Sequence, residues 1–243
     1  MTAFRHIFAR EFKSYFATPV AYLFLVVFLA LASYQTFDNN FFEYREASLR
    51  IFFDQLPLLF AFFAPALAMR MWSEERRSGT IEFLLTLPVT PTQAVLGKFF
   101  ASWAFFAVAL LFTGSMVWTV EYLGNPDYGP ILVGYIAAFL MAGAYLAVSM
   151  FCSALTKNQV ISIVLGTTFC IVLVYAGDPA LLKLLTSNGL GAVAKVFESI
   201  SFQTNFEALQ RGLLDWANVF SFVVIAAGFL WGTVVLLNGV KAR

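Results

Sequence analysis

From Ile131 to Leu155 no side chain carries a charge. About 20 apolar residues in a helix cross the roughly 30 Å hydrocarbon core of a bilayer, so this run reads as a membrane span. Five further runs qualify: Val20–Phe37, Leu56–Trp72, Phe99–Tyr122, Val160–Ala176 and Val219–Leu237. Strands of a membrane barrel alternate apolar and polar residues over about 10 positions, and these runs do not. The expected fold is an all-α integral membrane protein with six transmembrane helices in one domain, residues 1–243. Composition leads the same way. The chain is 60% hydrophobic and 12% charged, against about 25% charged in soluble domains, and a soluble globule cannot hide so much apolar surface.

Local signals mark several helix starts. Thr18-Pro19 sets a capping hydroxyl before a proline at the first helical position. Thr90-Pro91-Thr92-Gln93 does the same, with Gln93 completing a capping box. Asp215 is placed to cap the last span, and Pro57 and Pro65 are expected to kink the second.

The net charge of +1 conceals an asymmetry. With the N-terminus inside, the inner segments hold ten basic and four acidic residues, and the outer segments five and ten. The positive-inside rule therefore places both termini in the cytoplasm of a multi-pass cell (inner) membrane protein. Residues 1–18 precede the first span. Phe4, Ile7, Phe8, Phe12, Tyr15 and Phe16 recur at helical spacing among Arg5, His6, Arg10, Glu11 and Lys13, which predicts an amphipathic interfacial helix in the inner headgroup region.

Reactive groups are scarce. His6 is the one histidine, and Cys152 and Cys170 sit in apolar runs. No catalytic residue, metal site or directly bound cofactor is expected, and the charge balance gives no basis for a nucleic-acid partner. The nearest approach to a phosphate-binding loop, Gly189 to Lys195, lacks the second glycine and the following hydroxyl. The chain is not read as an enzyme.

Residues 73–98 form the longest inner loop. Glu74, Glu75, Arg76 and Arg77 follow the second span directly. Gly79 permits a sharp turn, and Thr80 is placed to cap a short helix with Glu82 near its positive end. Ile81, Leu84 and Leu85 give that helix an apolar face and Pro88 ends it. A plain solvated connector has little use for such a face, whereas a helix docking into a groove of another protein needs one.

The pattern E-x-x-x-G-T-x-E-x-L-L-x-x-P, on Glu75, Gly79, Thr80, Glu82, Leu84, Leu85 and Pro88, resembles the membrane subunit of ABC-2 type exporters. So do the segment from Arg10 to Tyr22 and the six-span layout. Within that family the chain is similar to permeases of gliding-motility and copper-maturation (nitrous-oxide reductase) systems, which carry S-x-x-x-H-F-x-x-x-x-x-G before the last span. Ser201, Phe206 and Gly212 match it, with Asn205 in the histidine position. The resemblance implies a permease that pairs with a second copy or a paralogue. It implies two cytoplasmic ATPase subunits that bind ATP and Mg and receive the loop helix as a coupling helix. An envelope accessory protein and membrane lipids are further partners it suggests. The alternative function is an ATPase-linked scaffold or mechanotransmitter of the cell envelope that does not transport.

Residues 177–218 are too short for a domain and too apolar for a plain loop. Asp178-Pro179 opens one short helix, Val193, Val196, Phe197 and Ile200 form the stripe of another, and Thr204 with Glu207 reads as a capping box for a third. The resemblance implies that these outer helices dip into the membrane; headgroup-resting helices would give the same sequence. Gly134, Ala138 and Ala142, and the pair Gly228 and Gly232, permit close helix approach within one chain or between two. The phenylalanines of the spans read as lipid contacts.

Overall fold

A computed structural model describes residues 2–38, 48–80, 90–212 and 215–241. Among these residues all regular structure is helical: α1 (Thr2–Ala17), α2 (Pro19–Asp38), α3 (Arg50–Ala68), α4 (Ser73–Ser78), α5 (Pro91–Phe112), α6 (Ser115–Leu123), α7 (Tyr128–Leu155), α8 (Gln159–Tyr175), α9 (Pro179–Ser187), α10 (Gly191–Ile200), α11 (Phe202–Gln210) and α12 (Trp216–Lys241). Among the described residues five stretches are long and apolar enough to cross a membrane: Pro19–Asp38, Arg50–Ser78, Pro91–Leu123, Tyr128–Leu155 and Trp216–Gly239. A sixth exists only if α8 and α9, bent by 72°, count as one span.

Helix α7 is the pillar of the bundle. Helices α3, α5, α8, α11 and α12 all pack on it, and every residue from Met141 to Met150 is buried. Small side chains make this possible. A Cβ on Gly134 would lie 2.6 Å from the Phe53 ring, and one on Gly232 would lie 3.1 Å from that of Phe151, so both glycines serve packing within the chain. Gly228 has no such neighbour within 4 Å. The phenylalanines are more than lipid contacts. Phe24, Phe28, Phe60, Phe63, Phe105 and Phe106 pack mostly edge to face along the seam of α2, α3 and α5, with centroids 5.0 to 6.5 Å apart.

Several expected caps form. Thr90 and Gln93 complete their capping box, and Asp178 and Asp215 accept backbone N–H groups at the starts of α9 and α12. Thr18 does not cap α2; its hydroxyl donates back to the Tyr15 carbonyl. Pro57 and Pro65 sit inside one uninterrupted helix, and the Pro57 carbonyl accepts a 2.9 Å bond from the Tyr145 hydroxyl. The third span is interrupted at Thr113–Gly114, where Tyr135 donates to the Thr113 carbonyl. Helix α1 is amphipathic, but protein covers much of its apolar face. Ile7 presses on Gly97, Phe4 meets Phe100, and Tyr15 and Phe16 meet Phe105, all on α5.

The fifth apolar run folds within one residue of its expected bounds, but the helix it makes is short for a span. Helix α8 has 17 residues, about 25 Å of helix, short of the roughly 30 Å core. Helix α11 fills the space where it stops. Phe202 stacks edge-on against Tyr145 at 4.5 Å, a residue about 25 Å along α7 from Tyr128, and Phe206 reaches Phe53. Helix α11 thus packs among α3, α7, α8 and α12. The Ser201 hydroxyl satisfies the Val174 carbonyl, left open near the end of α8, at 3.1 Å. Ser201 is also the cap of α11, accepting from the Thr204 N–H. The Thr204–Glu207 capping box does not form; Glu207 accepts from Gln203 instead.

Gly177 lets these two ends meet. A Cβ there would lie 2.1 Å from the Thr204 hydroxyl and 2.7 Å from that of Ser201. Gly177→Ala should therefore cost about 1–3 kcal/mol through overpacking. Gly191→Ala, with nothing within 4 Å of the added carbon, should be close to neutral. Thermal unfolding of the two variants in detergent checks the difference.

Candidate functional site

Two groups of residues stand out in the sequence, one around α4 at the C-terminal end of α7 and the other along α11. The first surrounds α4. After α3 the chain makes one turn through Met69–Trp72 and starts α4 at Ser73. A helix start leaves backbone N–H groups without partners, and Trp72 in the capping position supplies none. The partner comes from α7. The Ser153 hydroxyl oxygen accepts from the Trp72 and Ser73 N–H groups, both at 3.2 Å, and donates to the Met69 carbonyl at 3.1 Å. In return the Arg76 guanidinium donates to the Ala154 carbonyl in the last turn of α7, where carbonyls are left open and a cation is favoured. Each helix thus caps the other across about 80 residues of sequence.

Glu74, Arg77, Ser78, Gly79 and Thr80 form the exposed rim of this unit. Gly79 closes α4 at φ 74°, a left-handed turn that glycine makes without strain. The expected coupling helix, with Ile81, Glu82, Leu84, Leu85 and Pro88, lies outside the described residues. Thr80 ends the described stretch that leads into it.

Glu75 faces inward, onto a residue of the same chain. Its Oε1 is 2.8 Å from Lys98 Nζ on α5, which is also 3.3 Å from Glu11 Oε1 on α1 and 5.3 Å from the centre of the Trp72 ring. Lys98 is only 5% exposed. In the sequence it counts as one more inner positive charge; nothing local marks it as the meeting point of three helices. Beside it a cleft of about 380 Å³ opens between α1, α2, α3 and α4, lined by Glu11, Ser14, Tyr15, Arg70, Glu74 and Lys98 among others. Burial pushes the Glu11 carboxyl up, but the charges and hydrogen bonds of Lys98 and Arg10 outweigh it and hold it below its ordinary value of 4.5.

The second group is Ser201, Asn205, Phe206 and Gly212. The structure brings all four to α11 and its ends, where each has a packing partner. Ser201 caps α11 and α8 as described. The Asn205 amide donates to the Ser199 and Ser201 carbonyls at 2.9 and 2.6 Å and approaches the Ser221 hydroxyl on α12. Phe206 is fully buried. Gly212 turns the chain at φ 83°, and a Cβ there would meet Pro130 at 3.1 Å. Asn205 therefore ties α10, α11 and α12 together in the position where the motif carries histidine.

Two outcomes test this geometry. Ser153→Ala removes the one oxygen that accepts from both N–H groups at the start of α4 and should cost about 1–3 kcal/mol locally, read as faster hydrogen exchange at the 72–78 amides with α12 unchanged. Glu11 is stabilising while ionised: its contribution is complete above pH 4.5 and is lost as the pH falls through its lowered value. Thermal stability should consequently fall on acidification below about pH 4.5 in the wild type, and fall less in Glu11→Gln.

Compared with known protein families, the chain matches the family described as ABC-2 family transporter protein over residues 3–240. A search of curated proteins finds no match. With a match across nearly its whole length, on a bundle of membrane-spanning helices, the chain belongs to the ABC-2 transporter family and is a multi-pass membrane protein.

Proposed function

We propose that this chain is the permease subunit of an ATP-driven exporter and that residues 73–98 dock it onto a separate cytoplasmic ATPase. The observation that carries the reading is the reciprocal capping of α4 and α7. A force applied beyond Gly79 reaches the bundle's central pillar through Ser153 and Arg76, without passing through a slack connector. The docking face is the apolar side formed by Ile81, Leu84 and Leu85, opened by Gly79 and Thr80, flanked by Glu74 and Glu82, and closed by Pro88; Glu75, turned inward, holds the root of the loop to Lys98. ATP and Mg belong to the partner, and both termini and the loop lie on its side of the inner membrane. A second copy or a paralogue completes the transporter. The gliding-motility and copper-maturation branch follows from Ser201, Phe206 and Gly212 in their motif positions.

Leu84→Glu sets a charge in the middle of the docking face and should abolish co-purification with the ATPase. Its elution from gel filtration should match the wild type. Retained co-purification would sink the docking assignment.

A further inference from the structure

Lys98 is the only charged residue among the described ones that is buried, and one ammonium is shared by two carboxylates. Glu75 of α4 holds it at 2.8 Å and Glu11 of α1 at 3.3 Å. Arg10, mostly exposed, joins Glu11 at 2.9 Å, so the four charges balance. The second oxygen of Glu75 is buried without a hydrogen-bond partner among the described residues. Glu75 therefore depends on Lys98, whereas Glu11 has a second cation. Helix α1 packs on α5 and α2, while α4 packs on α7 and α8; at Lys98 side chains from both meet.

Two anions compete for one cation in surroundings where charges are poorly screened, so weakening one contact strengthens the other. The lysine has a flexible four-carbon stem and the two distances differ by half an ångström, so the exchange needs little motion. We propose that Lys98 is a positioning residue passed from Glu75 to Glu11 when α4 is displaced, so that movement of the loop tightens the N-terminal helix onto α5. The part this plays in transport rests on the docking of residues 73–98 to an ATPase; the exchange of partners does not.

The test is hydrogen exchange on the full chain in lipid nanodiscs. Glu75→Gln frees Lys98 for Glu11 and should slow amide exchange in Phe4–Phe16 by about threefold. Glu11→Gln should slow it in Ser73–Ser78 in the same way. Lys98→Met should speed both by about tenfold or more, with α12 unchanged. In a merely structural cluster each carboxylate variant loosens its own helix and leaves the other unchanged. Unchanged or faster exchange in α1 of Glu75→Gln would overturn the proposal, and that arm decides even if Lys98→Met does not fold. In the complex with its ATPase, ATP should slow α1 exchange in the wild type and not in Lys98→Met. A wild-type chain that captures no ATPase would overturn the docking reading, while the exchange arm still decides the hand-over.

Discussion

Close approach of helices to α7 is the condition on which the rest of this bundle depends. Lipid tails are as apolar as leucine, so burial from water does not drive one span against another inside a bilayer; packing contacts and interhelical hydrogen bonds do. Helix α7 meets that condition with glycines and alanines that leave room for its neighbours' rings. Phe53 lies over Gly134 and Trp103 over Gly143, where a Cβ would sit 2.9 Å from the indole. Trp103 also stacks on Phe139 at 4.3 Å and donates to its carbonyl. The largest buried side chain of α7 is Tyr145, whose hydroxyl reaches the Pro57 carbonyl and whose ring supports Phe202. One residue thus fixes α3 and α11 to the same point of the pillar.

The polar contacts of the α4 end are built differently. Those of Ser153 and Arg76 join helix ends, where backbone groups are open. Ser153 and Arg76 bind α4 to α7, while Lys98 joins α4 to α1 through α5. Interfaces of packed rings and small residues shift between discrete arrangements and do not stretch, so a push on α4 moves whole helices. Charge pairs at their ends can exchange partners without disturbing that packing. The bundle's middle is therefore suited to rigid motion and its α4 end to deciding which helices move together.

The sequence makes legible what lies within one helical turn. The runs of apolar residues mark the spans, and Thr90 with Gln93, Asp178 and Asp215 cap the helices that follow them. Errors occur where two local partners compete or where the true partner is remote. Thr18 has a carbonyl within reach behind it and donates there. Ser201 precedes Thr204 by three residues and takes the capping role, because its hydroxyl also answers the open end of α8. The shortness of α8 is local, a 17-residue apolar run closed by Gly177-Asp178-Pro179; what is not legible is that α11 comes to lie against Gly177 and covers that end. The bond from Ser153 to the start of α4 spans about 80 residues, and no periodicity reports it.

Lys98 shows how far a charge count can carry. As a positive charge on the inner side it contributes to the topology signal, and that use does not depend on where its side chain points. A charged group at mid-membrane costs about 2.5–3.5 kcal/mol on insertion scales, which leads a reader to expect a lysine near a span end to extend toward water. Lys98 is instead enclosed, because carboxylates from two other helices and the Trp72 ring replace the water it gives up. Such a residue is held by elements far apart in the chain, so its burial is evidence that those elements meet. A buried cation with two anionic partners at unequal distances is also poised, since any change that moves one partner alters the hold on the other. The same physics that permits this charge inside the bundle makes it sensitive to the position of α4.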